Sequence, residues 1–298
     1  MQKNCYYCKE SNKIFLKSSN KNNNKKYNFA STEVNTFEGE KKPDLYFCRK
    51  CNLIYSEFID QKFENNYLDV LDQIYIDQIE NKKKYFNNLI KRIFNTIEKK
   101  NDVLEIGSYY GAFGSQIKNL VNNYTGLELS SHAANYARKE FKLNIQNKKI
   151  NDFFKTNQKK FDIIFMFDVI EHLDDPDLIL NLCSKNLKKN GRLIFTTMNM
   201  DSLFAKITGK YYPWIIPMHK FYFTDNSLKK YLIKNDMKID KIIPDVRIVS
   251  LEYLLLKISQ KIYFFKYIHK LISKSKFLKK LSIKFSLFDL NIYSAIKN

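Results

Sequence analysis

Residues 102–114 read DVLEIGSYYGAFG. The run Val103-Leu104-Glu105-Ile106 has the composition of a short buried strand, and it stops at Gly107. Gly111 and Gly114 follow where a helix is expected to begin. Closely spaced glycines let a chain turn sharply from strand to helix and bring its backbone against a nucleotide-like ligand. A charged residue inside an apolar strand costs free energy unless it is bonded. Glu105 is therefore expected to orient the turn through backbone N–H groups.

Outward from this turn, strand and helix signals alternate. Strands are predicted at 102–106, 124–128, 147–150, 161–167 and 191–197, with helices at 112–121, 131–140 and 177–188 between them. Such alternation implies right-handed βαβ units around a parallel sheet. FDIIFMF at 161–167 is almost continuously apolar, the mark of a central strand covered on both faces. YTGLELS places Glu128 at the end of the second strand, about 20 residues beyond the turn, where a carboxylate can accept both hydroxyls of a ribose. The middle glycine of a dinucleotide fingerprint is missing. Tyr109 would crowd a diphosphate, so a ligand without one fits better.

Two CxxC pairs, Cys5/Cys8 and Cys48/Cys51, flank an Asn/Lys/Ser-rich insert at roughly 17–35. Four thiolates can hold one tetrahedral zinc, which replaces a core that so short a segment cannot build. An iron–sulfur centre and metal-free cysteines are the alternatives. Cys183, in LILNLCSKNLKK, reads as the buried face of a helix. The amino-terminal MQKNCYYCKE is too polar for a signal peptide, and no apolar run reaches 18 residues. These features predict a cytoplasmic protein with reduced cysteines.

The 298-residue chain is 44% hydrophobic and 15% aromatic, which excludes wholesale disorder. Its net charge of +20 suits nucleic acid, anionic lipid or acidic substrates. Lysine and asparagine are nevertheless spread along the whole chain, as compositional bias would also produce. The expected organisation is a zinc ribbon at 1–60, linking helices at 61–99, a core at 100–250, a helical insertion at 251–283 and a final core strand at 284–298. In the linking region, Phe86, Leu89, Ile90 and Ile93 recur at helical spacing. Residues 198–220 read as a long loop or broken helix, 225–235 as a helix, 238–249 as a strand and 286–296 as the last strand. The lysine-rich amphipathic stretch 251–281 suits a packed cover over the site, an oligomer surface or a peripheral membrane contact.

Several pieces resemble the class I S-adenosylmethionine-dependent methyltransferases: LEIGSYYGAFG, Glu128, INDF at 150–153, FDIIFMFDVIEHLDDP at 161–176, LKKNGRLIFTT at 187–197 and HKFYFTDNSLKKYLIKNDM at 219–237. The resemblance covers roughly 75–250 and the final strand. It looks like the branch with ubiquinone-biosynthesis O-methyltransferases and sugar or polysaccharide methyltransferases. It implies an α/β, Rossmann-like, seven-stranded, mostly parallel sheet with an antiparallel last strand. It assigns the methionine end of the cofactor to Glu105, Gly107, Ser108, Tyr109 and Gly111, and the ribose to Glu128 with Leu129 beside it. Asp152 and Phe153 go to the adenine, and Asp168 faces cofactor or substrate. Paired CxxC knuckles ahead of this domain also resemble deoxysugar C-methyltransferases, which supports a sugar-like acceptor.

The implied reaction is in-line attack on the sulfonium methyl group, with a general base to take a hydroxyl proton. His219 is the first candidate base, and His172 and Glu171 are the others. His132 and His269 read as structural. Tyr211, Tyr212 and Trp214 are candidates to stack on a sugar face. The expected acceptor is a sugar or cell-surface glycan precursor. Alternatives are a phenol or other small metabolite, nucleic acid or protein, and a non-enzymatic interaction module. FDVI stands after the fourth strand, where amino-methylating nucleic-acid enzymes carry an NPPY-like tetrapeptide.

Overall fold

The structure, a computed structural model, describes residues 2–5, 8–16, 42–56, 71–259, 263–275, 278 and 281–298. The insert expected at 17–35 lies outside them, as do 61–70 of the expected linking helices. Four short strands come first: β1 (Gln2–Asn4), β2 (Ser11–Leu16), β3 (Leu45–Cys48) and β4 (Leu53–Ser56). Two helices follow, α1 (Gln73–Asp77) and α2 (Ile79–Ile93). Then come β5 (Asp102–Ile106), α3 (Ala112–Ile117), β6 (Asn123–Leu127), α4 (Ser131–Phe141), β7 (Ile145–Gln146), α5 (Ile150–Thr156), β8 (Phe161–Phe167), α6 (Pro176–Asn186) and β9 (Leu187–Met198). The chain closes with α7 (Leu203–Thr208), β10 (Phe221–Tyr222), α8 (Asp225–Lys234), β11 (Met237–Pro244), β12 (Arg247–Ser250), α9 (Leu251–Ser259), α10 (Phe264–Lys274), β13 (Ser282–Phe285) and β14 (Leu290–Lys297).

The main sheet has seven strands in the order β11-β14-β9-β8-β5-β6-β7. The pairs from β9 through β7 are parallel, and β14 runs antiparallel to both its neighbours. This is the Rossmann-like sheet expected from the alternating pattern. Side chains alternate between the faces of β8, as strand geometry dictates. Ile163, Phe165 and Phe167 pack with Tyr85, Phe86, Leu89, Ile90 and Ile93 of α2. Ile164 and Met166 pack on the opposite side, in a core that also takes in Cys5, Tyr46, Cys48 and Tyr55.

Several boundaries differ from the sequence expectation. The third strand is Ile145–Gln146 rather than 147–150, and Ile150 already opens α5. The fifth begins at Leu187, with Asn190 at φ +61° and a register shift opposite Phe161/Ile163. The stretch 238–249 is two strands in different sheets, and the last strand is Leu290–Lys297 rather than 286–296. The helical insertion is the excursion of a hairpin, because β12 pairs with β13 at its base. α10 has no buried residue, while Leu255 and Ser259 of α9 are buried. The cysteine module shares its sheet with the core. Its strand order is β1-β2-β3-β4-β10, and Phe221 and Tyr222 pair with Tyr55 and Ile54.

Candidate active site

The strand-to-helix turn lies at the carboxyl end of β5. Gly107 and Gly111 have φ of +76° and +78°. A Cβ at Gly107 would also lie 2.5 Å from Val169 Cγ2, so the turn requires glycine twice over. The N–H groups of Gly107 and Ser108 both donate to Leu127 O at 2.9 Å. Ser108 is buried, and its hydroxyl has no partner among the described residues. Glu105 does not bond the turn, contrary to the expectation. Its carboxyl accepts the hydroxyl of Tyr124 on the neighbouring strand, and burial pushes its pKa up to about 8. Glu128 takes the role instead: Oε2 accepts Tyr109 N–H at 2.7 Å and Oε1 accepts Ser130 N–H at 2.8 Å. Burial raises its pKa too, against the pull of those backbone donors. Leu129 beside it is exposed.

Tyr109 holds φ +46°, a left-handed conformation that is strained for a side-chain-bearing residue. Its hydroxyl donates to Asp72 Oδ2 at 2.8 Å, and the Asp72 N–H donates to Tyr110 Oη at 2.8 Å. Asp72 Oδ1 caps α1 through Tyr75 N–H at 2.9 Å. Tyr75 completes the aromatic cluster, edge-on to Tyr109 and stacked on Tyr110. The two tyrosines thus tie the turn to the helices before it.

Asp168 sits at the end of β8 at φ +53°. Arg247 grips it with both terminal nitrogens, each at 2.8 Å, and Thr196 Oγ1 donates to Oδ1 at 2.7 Å. Burial raises a carboxyl's pKa, but Arg247 overrides it and holds Asp168 well below the usual range. Arg247 Nε also pairs with buried Asp245 at 2.5 Å, and Asp245 accepts the Tyr85 hydroxyl. None of Asp72, Thr196, Asp245 or Arg247 was expected from the sequence. One signal was available for Arg247, an arginine in a chain whose basic charge is carried mostly by lysine.

The three acceptor-side candidates do meet. One ligand-type atom from each of Glu171, His172 and His219 falls within 4.8 Å of the others. The two imidazoles lie edge to face with centroids 4.7 Å apart. His172 Nδ1 contacts Met218 O at 3.0 Å, and His219 Nδ1 contacts Trp214 O at 2.8 Å. A carbonyl only accepts, so both Nδ1 atoms carry the proton and both Nε2 atoms keep a lone pair. Burial pushes both imidazoles below their ordinary pKa, His219 further because His172 adjoins it. Burial, and then the charge of Asp168, pushes Glu171 up to about 8. Thr197 Oγ1 donates to Glu171 at 3.2 Å. The cysteine module supports this group from behind, for Ser56 Oγ donates to His219 O at 2.8 Å and Ser56 N–H to Lys220 O at 2.9 Å.

The other expected site residues separate. Tyr212 is fully buried, with its hydroxyl on Asp289, so it is a core residue and not a stacking platform. Trp214 is 37% exposed and donates its indole N–H to the same Asp289 oxygen at 2.9 Å. Tyr211 is exposed beneath Lys210. Asp152 is exposed and pairs with Lys155 at 3.2 Å, while Phe153 packs with Phe154 and Phe161 in the core. The sulfur atoms of Cys5, Cys8, Cys48 and Cys51 cluster at 3.2–3.5 Å between nearest pairs. That is too far for a disulfide and close to the edge of a tetrahedral thiolate site.

Residues 78–242, more than half of the chain, match the methyltransferase-domain family. A ubiquinone biosynthesis O-methyltransferase of Hydrogenovibrio crunogenus is 28% identical over 113 residues, covering 36% of this chain and 46% of that protein. The enzyme of the same name in Glaesserella parasuis is 34% identical over 106 residues, 33% of this chain and 45% of that protein. The matches thus span about half the length of these relatives. A SAM-dependent methyltransferase of Archaeoglobus fulgidus shares the fold, with a TM-score of 0.50 at 20% identity over 76% of this chain and 100% of its own. The chain belongs to the methyltransferase-domain family, in its class I S-adenosylmethionine-dependent branch.

Proposed function

We propose that this protein transfers a methyl group from S-adenosylmethionine to a hydroxyl of a sugar or glycan precursor, and that its amino-terminal cysteines hold a structural zinc. The observation that carries the acceptor reading is the meeting of Glu171, His172 and His219. Two neutral imidazoles with free Nε2 lone pairs and a carboxyl group form a set of acceptors suited to a polyol. The bound cofactor supplies an electrophilic methyl on a sulfonium. The left-handed turn at 107–111 and Glu128 would hold it; the carboxylate is fixed by two backbone donors and keeps further lone pairs for a diol. Asp168, ionised by Arg247, supplies negative charge at the same edge of the sheet. Phe153 is packed in the core, so no stacking on adenine is assigned to it.

His219 would accept the acceptor's hydroxyl proton at Nε2 while Trp214 O holds its Nδ1–H, the orienting arrangement a general base needs. Cys5, Cys8, Cys48 and Cys51 would hold the zinc, which closes the module rather than taking part in the reaction. A phenolic acceptor is the second reading, supported by two relatives that are ubiquinone biosynthesis O-methyltransferases.

Radiolabelled methyl transfer, screened against nucleotide sugars, glycan precursors and prenylated phenols, tests both. Sugar turnover falling ~100-fold or more in His219→Gln, with cofactor affinity unchanged by calorimetry, is the expected result. Turnover on phenols alone would establish the second reading. Cofactor binding with no turnover on any acceptor would end the enzymatic one. Metal analysis should give one zinc per chain, lost in Cys48→Ser/Cys51→Ser.

A further inference from the structure

We propose that α10 seats this protein on an anionic lipid surface. The helix packs against α9 but buries none of its own residues. Phe264, Tyr267 and Leu271, at positions i, i+3 and i+7, form one stripe and are 66%, 60% and 69% exposed. Tyr263, just before the helix, is 67% exposed. Lys266, Lys270 and Lys274 run in a parallel row at i, i+4 and i+8, and all are exposed. Helical rotation sets that row directly beside the apolar stripe. Phe265, Ile268 and Ile272, on the other flank, are the half-covered positions.

An aromatic and aliphatic stripe bordered by lysines is how a helix lies in a bilayer interface, with apolar side chains among the acyl chains and ammonium groups at the phosphates. Charge selects this occupant over others. Residues 253–288 contain nine lysines and no aspartate or glutamate. Each lysine near an anionic leaflet strengthens binding roughly fivefold. A second copy of the chain would bring two such segments together and repel. A nucleic acid would satisfy the lysines and leave the stripe in water. The hairpin base is tied to the core, where Ser282 Oγ donates to Asn81 Oδ1 of α2 at 2.7 Å. The proposal does not depend on the methyl-transfer reading.

Flotation with phosphatidylcholine vesicles, with and without about a third phosphatidylglycerol, tests the proposal on the full chain. The protein should float with the anionic vesicles, less so at high salt, and stay behind with the neutral ones. Lys266→Glu/Lys270→Glu/Lys274→Glu should weaken partition at least ~100-fold. Phe264→Asp/Leu271→Asp should weaken it ~10-fold or more. Both variants should keep wild-type circular dichroism and cofactor affinity. Equal partition to neutral and anionic vesicles, or unchanged partition in both folded variants, overturns the proposal. A dimer in ultracentrifugation that Leu271→Asp abolishes, with no vesicle binding, assigns the face to self-association and overturns it too.

Discussion

Glu105 faces the interior of a parallel sheet with a tyrosine hydroxyl as its donor, and desolvation sets its titration. The folded-state pKa of about 8 lies above the ordinary 4.5. The stability contribution is therefore whole below pH 4.5 and is lost as pH rises through 8, at most about 5 kcal/mol across the window. Glu105→Gln should flatten that decline in urea unfolding measured from pH 5 to pH 8. An unchanged slope would mean that Glu105 is ionised in the fold. Arg247 offers a second test, because Arg247→Leu leaves buried Asp245 without its cation. A loss of about 2–4 kcal/mol in the same assay is expected, most of it through Asp245, since Asp168 is partly solvated. The place of Glu128 at the end of β6 was legible at this scale because a strand, a turn and a carboxylate stand in one short stretch, whereas its hold on the turn was expected of Glu105. Arg247 was not legible: its partner Asp168 lies 79 residues away at the end of β8, and no local pattern encodes their meeting. Tyr212 and Trp214 look alike in sequence, and only the distant Asp289 ties one into the core and the other at its rim.

At the scale of elements, apolar runs named β5, β6, β8 and β9 but misplaced the two-residue β7, and helical periodicity named the face of α2. Boundaries slipped where polar residues continue an element or where two pairings abut. Leu187 and Lys188 read as the end of a helix, with the strand starting at 191, yet β9 begins at Leu187, and 238–249 read as one strand though β11 and β12 belong to different sheets. The pairing of β4 with β10 was invisible, since two residues between a loop and a helix cap carry no periodicity. That pairing carries a consequence for catalysis. Ser56 is 1% exposed and bonds the carbonyl of His219. Ser56→Ala should lower turnover roughly fivefold, the rate equivalent of about 1 kcal/mol, without changing cofactor affinity. His219→Gln in the same background should add little further, because both changes act on one group. Fully additive losses would separate the strand from the imidazole.

At the scale of the molecule, one hydrophobic cluster runs through both the cysteine sheet and the main sheet, so the cysteine module is not detached from the core. Cys5 and Cys48 share a hydrophobic cluster with Leu104, Met166 and Phe195. Stability and chemistry should then fail together: chelator treatment that releases the metal is expected to lower the melting temperature of the whole protein in a single transition. Two separated transitions in calorimetry would show independent units. Among the described residues no helix is long and apolar enough to cross a membrane. The order in which the ribosome delivers the chain gives the shared sheet a further meaning. The cysteine half emerges before the parallel sheet, but the strand that closes its edge, Phe221–Tyr222, arrives only after the parallel strands have been made. Until then β4 presents an open rim of unpaired amides, so a strand made before the parallel sheet is paired on that edge only after it.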